Sequence, residues 1–339
     1  MPLTEVKIKA VGLLSGGLDS TLAAKLMLEQ GIEVYAINFT SPFCTCTPKK
    51  AGCAAVVTAV KGLGGIPLKR VALGNEYLEM VQNPKHGYGS GMNPCIDCRI
   101  MKIRKAGRYM REIGASFVFT GEVLGQRPMS QHRQALQIID RESGLEGVLV
   151  RPLSARLLPP SIPEQEGWID REKLLEISGR SRKPQIALTA EYDITDYPCP
   201  AGGCLLTVSG FARRMKDLMA HSEMNFNEIG LLKVGRHFRF PPRAKLVVGR
   251  NKEENERLLT LAKKDDICFE PVEVKGPIGI ARGDLTREDI QKSLSIIARY
   301  SDGAMNESIE ITNRKLPDGE VQIHFTTPIR DDKIRIFRI

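Results

Sequence analysis

The sequence lacks any long hydrophobic run. None of its apolar stretches approaches the roughly 20 residues that a helix needs to span a bilayer. The first residues, MPLTEVKIKAVGLL, also lack the basic start, apolar core and small-residue cleavage site of a secretory leader, and they are more typical of a first strand. We therefore expect a cytoplasmic protein with no membrane partner.

Cysteine and histidine are scarce. Eight cysteines in 339 residues are too few for a secreted disulfide scaffold, so clustered cysteines here favour metal binding or thiol chemistry in a reducing compartment. The five histidines show no ligand spacing such as H-x₃-H, and none is a candidate ligand. Internal repeats and low-complexity tracts are also lacking.

Positive charge, by contrast, is in excess. The 49 Lys and Arg residues outnumber the 40 Asp and Glu residues and give a formal net charge of +9. A basic surface attracts polyanions, of which nucleic acid is the commonest in the cytoplasm. Many proteins carry such an excess only for solubility, so charge alone leaves both interpretations open.

Strand and helix signals alternate through the first half of the chain, as they do in a parallel sheet covered on both faces. We predict an α/β fold, a doubly wound parallel sheet over residues 1–240, followed by a smaller α+β domain at 241–339. The predicted strands are 6–14, 33–39, 68–72, 116–120, 245–249, 307–313 and 320–326. The predicted helices are 21–30, 53–63, 100–113, 170–178, 209–220, 251–263 and 285–299.

The segment SGGLDS, residues 15–20, follows a predicted strand and precedes a helix, where backbone N–H groups and a helix dipole can hold a phosphate. Gly16 and Gly17 permit close backbone approach. Ser15 and Ser20 can donate hydrogen bonds to phosphate oxygens, and Asp19 can orient the loop or help to hold Mg²⁺. A glycine-rich turn capped by Ser or Asp is the structural alternative, but the complete motif favours phosphate binding.

SGGLDS resembles the motif of the adenine nucleotide α-hydrolase-like enzymes, the PP-loop ATP pyrophosphatases. Those enzymes cleave ATP between its α and β phosphates and form an adenylate. The resemblance implies a Rossmann-like PP-loop/HUP fold, a catalytic role for Asp19, and ATP with Mg²⁺ as cofactors. The residues that it implies for ATP binding are Ser15, Gly16, Gly17, Asp19 and Ser20.

Residues 120–131, TGEVLGQRPMSQ, resemble the TGExLGQxxSQ segment of the tRNA 4-thiouridine synthetases, the ThiI family. RPLSA at 151–155 resembles the RPL segment that follows it there. The resemblance covers about residues 8–155 and implies that Gly121, Glu122 and Gln126 lie beside the nucleotide at the carboxyl edge of the sheet. A helix cap followed by a solvated turn is the structural alternative.

Two motifs carry paired cysteines: NPCIDCR with Cys95 and Cys98, and PCPAGGCLLT with Cys199 and Cys204. A C-x-x-C lets two thiolates converge on one metal. With one distant cysteine, it resembles the three-cysteine [4Fe–4S] site of cluster-dependent tRNA thiolases. That resemblance implies that Cys95, Cys98 and Cys204 are metal ligands with a catalytic role, and that Cys199 is the substitute third ligand. Structural Zn²⁺ and a persulfide carrier paired with a resolving thiol are the alternatives.

The remaining cysteines give weaker signals. Cys44, Cys46 and Cys53 form C-x-C-x₆-C after the second predicted strand, where an auxiliary metal or sulfur site and simple packing are equally open. Cys268 lies in an apolar strand and is predicted to belong to the core.

Basic residues suggest where an RNA would bind. GRSRKPQ at 179–185 places three cations near the second cysteine motif, where they suit RNA phosphates or a pyrophosphate leaving group. VGRNKEENERLL (248–259) and KGPIGIARG (275–283) resemble the RNA-binding domain of the NFACT class, although a dimerisation or capping domain is the alternative. The candidate RNA contacts are Arg180, Arg182, Lys183, Arg250, Lys275, Arg282 and Arg287.

Together these features predict an ATP-dependent tRNA uridine sulfurtransferase that works through an adenylated uridine. Its partners would be tRNA and a sulfur donor, either sulfide or a cysteine desulfurase, and it could form a homodimer. Two other classes stay open: a PP-loop amidotransferase or ligase that adenylates a small molecule, and an RNA-binding protein with a regulatory nucleotide site.

Overall fold

A computed structural model describes residues 7–45, 52–192, 203–303 and 307–339, together with residues 194 and 197. The chain forms two compact units, of which the first ends at Thr207 and the second begins at Val208. Within the described residues, no helix is both long enough and apolar enough to cross a membrane.

The first unit is built on a five-stranded parallel sheet. Its strands are β1 (Lys9–Leu13), β2 (Glu33–Thr40), β3 (Leu68–Ala72), β4 (Phe117–Thr120) and β5 (Leu149–Val150), in the order β3-β2-β1-β4-β5. Its helices are α1 (Leu18–Glu29), α2 (Gly52–Gly62), α3 (Asn75–Gln82), α4 (Cys95–Glu112), α5 (Arg133–Ser143), α6 (Ile162–Gln165) and α7 (Lys183–Glu191). The predicted doubly wound parallel sheet is confirmed.

Strand β1 lies at the centre of this sheet, with β2 on one side and β4 on the other. The strand order therefore reverses beside β1, and α/β sheets bind ligands at the carboxyl ends of the strands at such a switch point. SGGLDS follows β1, and the TGE of the 120–131 segment begins at the end of β4. The two motifs therefore share the edge of the sheet where a nucleotide is expected.

Each face of the sheet is covered by its own core, as a parallel sheet requires. On one face, Leu22 and Met27 of α1 pack with Val56 of α2. On the other, Ile103 of α4 and Ile139 of α5 pack against the strands. These cores fix α1 and α4, the two helices whose first turns carry the loop and the C-x-x-C.

The second unit contains a six-stranded antiparallel sheet in the order β11-β10-β8-β9-β7-β6. Its strands are β6 (Arg236–Phe240), β7 (Ala244–Val248), β8 (Ile267–Pro271), β9 (Gly279–Gly283), β10 (Ile309–Lys315) and β11 (Gln322–Thr326). Its helices are α8 (Ser209–His221), α9 (Phe226–Leu232), α10 (Lys252–Leu261), α11 (Arg287–Arg299) and α12 (Asp331–Ile334). The predicted α+β class of this region is confirmed.

The boundary between the units differs from the one expected at 240/241, which falls inside the β6–β7 hairpin. Helices α8 and α9 precede that boundary in sequence but belong to the second unit. Asp217 of α8 binds Arg239 of β6, and Glu228 of α9 lies 3.5 Å from Lys245 of β7. These ion pairs join the two helices to the second sheet.

The helix predicted at 170–178 is wrong. Only a short 3₁₀ turn forms, at Arg171–Lys173, and the following residues are extended. The N–H of Leu175 donates to the carbonyl of Pro152, and that of Ile177 donates to Leu153. Apolar spacing suggested a helix, but pairing with a distant segment satisfies this backbone instead.

Candidate nucleotide and cysteine site

The loop 15–20 is shaped by a glycine in the left-handed region. Gly16 has φ +78, and a Cβ there would lie 2.5 Å from the backbone carbonyl carbon of Ala55 and from the nitrogen of Val56. Gly17 is the N-cap residue of α1 and has extended dihedrals. The first turn of α1 therefore directs its backbone N–H groups towards the switch point, where they can hold an anion.

The two serines of the loop have different roles. Ser20 is buried, and its Oγ donates to the carbonyl of Gly17 at 2.8 Å, so it organises the loop. Ser15 is exposed; its Oγ lies 3.1 Å from that of Ser20 and accepts from the N–H of Gly17 at 3.3 Å. Of the two hydroxyls, that of Ser15 is therefore the more accessible to a ligand.

Gly121 brings the 120–131 segment directly onto the loop. A Cβ at this position would lie 2.5 Å from the carbonyl carbon of Asp19 and from the nitrogen of Ser20. The contact is backbone against backbone, which only glycine permits at this separation. Gly121 therefore lies directly against the loop, and its place beside a nucleotide stays a prediction.

The carboxylate of Asp19 is held from two sides. Its Oδ2 accepts from Nε2 of Gln126 at 2.8 Å and from a guanidinium nitrogen of Arg182 at 3.2 Å. Gln185 of α7 in turn donates to Gln126 at 3.3 Å. Oδ1 of Asp19 is buried and has no hydrogen-bond partner among the described residues. The loop, the 120–131 segment and the 179–185 segment thus meet at one carboxylate.

Glu122 is placed differently from the expectation that it faces the nucleotide. It is 1% exposed, and its Oε2 accepts from Nε of Arg151 at 3.1 Å, while Oε1 lies 3.4 Å from Nε of Arg99. Arg151, from RPLSA, also binds Asp140 through two hydrogen bonds of 3.0 and 2.6 Å. Glu122 therefore positions two arginines, and a direct contact with ATP is not favoured by its burial.

A group of arginines lies between the loop and the C-x-x-C. Arg127 is solvent-accessible, yet it lies deep enough among protein atoms that desolvation, followed by the charge of Arg99, lowers its pKa. Arg182 adds to this lowering, whereas Cys95 and Asp19 oppose it. Arg127 therefore interacts electrostatically with both Asp19 of the loop and Cys95. Sequence reasoning missed Arg99 and Arg127, although Arg127 stands within the 120–131 motif.

Cys95 and Cys98 lie in the first turn of α4 rather than before the helix, which was predicted to begin near residue 100. At a spacing of i and i+3 they share one face of the helix. Cys204 reaches them through backbone pairing: it forms a β-bridge with Cys44, and the N–H of Met92 donates to the carbonyl of Leu206 at 2.9 Å. The three cysteines proposed as ligands are thus brought into one region.

The thiols influence one another and their neighbours. Asn93 donates to Sγ of Cys95 at 2.9 Å, and burial, followed by the nearby Cys98, raises the pKa of Cys95. Burial also opposes ionisation of Cys98, but Lys102 and the hydroxyl of Tyr77, 3.4 Å from Sγ, outweigh it and lower its pKa. Burial, reinforced by Cys98 and Cys95, raises the pKa of Cys204 to about 12. Cys98 is therefore the thiol that ionises most readily.

Cys95, Cys98 and Cys204 have the thiol chemistry that a metal ion or an iron–sulfur cluster requires, but their side chains are not close enough together to hold one. Among the residues that the structure describes, no three Cys, His, Asp or Glu side chains converge closely enough to hold a metal ion. Cys199, the substitute ligand, lies outside the described residues, as does Cys46, and the side chain of Cys53 is likewise not described. The N–H of Ser41 donates a hydrogen bond to Sγ of Cys44, at a nitrogen–sulfur distance of 3.3 Å. Cys268 is buried in β8, as predicted.

The predicted RNA contacts differ in their exposure to solvent and in their ion pairs. Arg180, Lys183 and Lys275 are exposed, and Arg250 is half-exposed and paired with Glu254. The proposed phosphate contact by Arg282 needs correction. Its guanidinium binds Glu228 at 2.6 Å and Asp266 at 2.7 Å, and it is largely buried, so its charge is already neutralised within the second unit.

The matches to known protein families fall in two regions, one in each structural unit. Residues 5–156 match the family model described as thiamine biosynthesis protein (ThiI), and residues 235–338 match the NFACT protein RNA binding domain. The chain joins a ThiI-family domain to an NFACT-type RNA-binding domain. The ThiI-family domain contains the loop, the C-x-x-C and the 120–131 segment, whereas Cys204 lies beyond the matched range.

The similar curated proteins are tRNA-modifying enzymes by name. A probable tRNA sulfurtransferase of Thermococcus kodakarensis is 27% identical over 192 residues, which are 56% of this chain and 45% of that protein. The tRNA-specific 2-thiouridylase MnmA of Marinobacter nauticus is 25% identical over 51% of this chain and 50% of its own. This chain thus spans about half the length of each.

Among solved structures, a 4-thiouridine synthetase in complex with RNA and bound ATP is 22% identical to this chain. The alignment covers 66% of this chain and 52% of that one, with a TM-score of 0.36. A TM-score of this size does not establish a shared fold.

Proposed function

We propose that this chain is an ATP-dependent tRNA uridine sulfurtransferase. The observation that carries the proposal is the position of the 120–131 segment: Gly121 lies against Asp19 of the loop, and Glu122 lies 3.4 Å from Arg99, which follows Cys98 in α4. A phosphate-binding loop and a cysteine cluster linked by cations suit a reaction in which phosphate leaves and sulfur enters at one place. The match to an RNA-binding domain and the names of the curated relatives support tRNA as the substrate class.

The proposed reaction has two steps. A uridine carbonyl oxygen attacks the α phosphorus of ATP, the α–β bridging bond breaks, and pyrophosphate leaves with Mg²⁺. Hydrosulfide then attacks the adenylated carbon, the carbon–oxygen bond breaks, and AMP departs with that oxygen. If a cysteine desulfurase supplies the sulfur as a persulfide on a cysteine of this chain, a second thiol must release it by forming a disulfide with that cysteine. Backbone N–H groups of the loop, Ser15 and Arg182 would stabilise the phosphates. The buried, unpartnered Oδ1 of Asp19 is the kind of acceptor that Mg²⁺ fills.

Cys95, Cys98 and Cys204 would hold an iron–sulfur cluster, with Cys199 as the substitute for Cys204. A bound cluster would supply the chemistry that accepts and delivers the incoming sulfur. α4 presents two of the thiols on one face, and the Cys44–Cys204 bridge brings the third into the same region, so the three sulfurs must move closer together to hold the cluster. Asn93 and Tyr77 orient the sulfurs by hydrogen bonds.

The proposal is tested by the thionucleosides of the host's tRNA. Deletion of the gene should remove one thionucleoside from hydrolysed bulk tRNA, and a plasmid copy should restore it. Mass spectrometry of the nucleosides makes the measurement. An unchanged thionucleoside profile after deletion would defeat the proposal.

Replacement of Arg182 distinguishes a role at the phosphates from a general charge effect. Arg182→Gln removes the cation 3.2 Å from Oδ2 of Asp19, and we expect the rate of pyrophosphate release from ATP with tRNA to fall about 10- to 100-fold. Arg180→Gln removes the same charge from an exposed neighbour and should lower the rate less than about threefold. Equal losses in the two variants would contradict the assigned role of Arg182.

A further inference from the structure

The second unit contains an arginine-lined cavity that no sequence motif indicated. Its volume is about 580 Å³. Among its described lining residues none is an aspartate or glutamate. Five are arginines, contributed by α8, β6, the turn after β7 and the C-terminal segment: Arg213, Arg214, Arg236, Arg250 and Arg338. We call this the arginine cavity.

Several of these arginines are held in place by the fold. Arg236 donates to the carbonyl of Gly249 at 3.1 Å and lies 4.3 Å above the ring of Tyr300. Nε of Arg214 donates to the carbonyl of Gly210 at 3.1 Å. The backbone of Arg338 pairs with that of Phe238 in a β-bridge, which brings its exposed side chain to the cavity. Since backbone carbonyls and an aromatic ring orient Arg214 and Arg236, these two side chains have little entropy left to lose when an anion binds.

The five arginines of the cavity outnumber the carboxylate that pairs with them, Glu254. Desolvation, followed by the charge of Arg250, lowers the pKa of Arg214, which means that these cations repel one another. Glu254 offsets Arg250 through their ion pair. His237, on the wall of the cavity, is 2% exposed, and burial together with Lys245 holds its pKa well below the usual range, so it adds no charge. An anion in the cavity would relieve the repulsion.

The arginine cavity continues into a second one. Arg236 and Arg250 also line a neighbouring cavity of about 570 Å³, whose further lining residues include the cations Lys252 and Lys275, the carboxylates Glu270 and Asp302, and Tyr300. Two adjoining cavities that share two arginines form a track rather than a single pocket. Cations outnumber carboxylates along this track, and such an arrangement suits consecutive phosphates of one strand better than a lone anion.

We propose that the arginine cavity binds phosphodiester groups of an RNA strand, which continues past Arg236 and Arg250 into the neighbouring cavity. The choice of RNA rests on the proposed function; the anion site itself rests on the cavity. Arg213, Arg214, Arg236 and Arg338 thereby join Arg250 and Lys275 as phosphate contacts, and Arg282 leaves that set.

The test is the affinity of the full-length chain for fluorescently labelled tRNA, measured by anisotropy at several salt concentrations. In Arg213→Gln/Arg338→Gln, both substituted side chains are exposed, so the fold should be kept. We expect affinity to fall about tenfold and the slope of log affinity against log salt to become shallower by about one to two.

The matched control is Arg257→Gln/Arg314→Gln, which removes two exposed arginines of the same unit that do not line the cavity. Its affinity should fall less than about twofold. Equal losses in both double variants would overturn the inference. Saturable binding of inorganic pyrophosphate that is lost only in the cavity variant, at constant ionic strength, would also overturn it, because the ligand would then be a free phosphate.

The binding assay does not depend on thiolation. If the host loses no thionucleoside on gene deletion but the cavity variant selectively loses tRNA affinity, the inference stands and the proposed function fails. If the thionucleoside is lost on deletion but both double variants bind tRNA like the natural chain, the proposed function stands and the inference fails.

Discussion

Gly16→Ala should abolish ATP-dependent pyrophosphate release, with a loss of about 100-fold or more. A Cβ at this position would meet the backbone of Ala55 and Val56 at 2.5 Å, and neither contact is the end of a flexible side chain. Since α2 is packed into the core, the loop itself must move, and its N–H groups would no longer converge on a phosphate. Release of pyrophosphate from ATP in the presence of tRNA is the measurement.

Gly31→Ala provides the control. Gly31 has the same φ of +78, but nothing lies within 4 Å of a Cβ placed there. Both variants therefore carry the left-handed cost of about 1 kcal/mol, seen as a lower melting temperature. Only Gly16→Ala carries the backbone collision in addition. If Gly31→Ala lost pyrophosphate release to the same extent, the loop would not be the site of ATP cleavage.

The nucleotide side of the site could be predicted because its signals are local. SGGLDS and TGE each follow a buried strand, and the order of a doubly wound sheet brings two such strand ends together. The partners of these motifs could not be predicted. Arg182 reaches Asp19 only because the N–H of Gly179 donates to the carbonyl of Leu124, a long-range pairing that leaves no pattern in either segment.

Glu122 was recognised from its motif, but its role could not be predicted from the sequence. Its motif position predicts a carboxylate at the nucleotide, but two arginines from separate parts of the chain enclose it. A buried carboxylate needs such partners, and sequence reveals the carboxylate without revealing them. Arg282 was misassigned for the same reason: KGPIGIARG looks basic, yet Glu228 and Asp266 neutralise this arginine inside the fold.

The sequence did not predict a strand whose formation depends on pairing with other strands of its sheet. Strand β9 is short and contains two glycines, so it has little intrinsic strand propensity. It forms because β7 and β8 pair with it. The early start of α4 had a usable signal: Pro94 followed by an acidic residue in the next turn, Asp97, is typical of a helix beginning.

Replacement of the three clustered cysteines should separate sulfur transfer from ATP cleavage. In Cys95→Ser, Cys98→Ser and Cys204→Ser, we expect thiouridine formation to fall by more than about 100-fold, since loss of a ligand exceeds the loss of a supporting contact. Pyrophosphate release should fall less than about threefold, because the loop stays intact. Thionucleoside and pyrophosphate yields from the same anaerobic reaction provide both readouts.

Cys268→Ala is the matched control, because Cys268 is buried in the second unit and should leave both yields unchanged. Metal analysis decides what the three thiols hold. A cluster predicts about four iron and four sulfide per natural chain after anaerobic purification, and their loss in each of the three variants. One zinc per chain with thiolation retained in the variants would assign a structural site instead. Thiolation without metal, still dependent on these cysteines, would favour a persulfide carrier, for which Cys98 is the readiest thiolate.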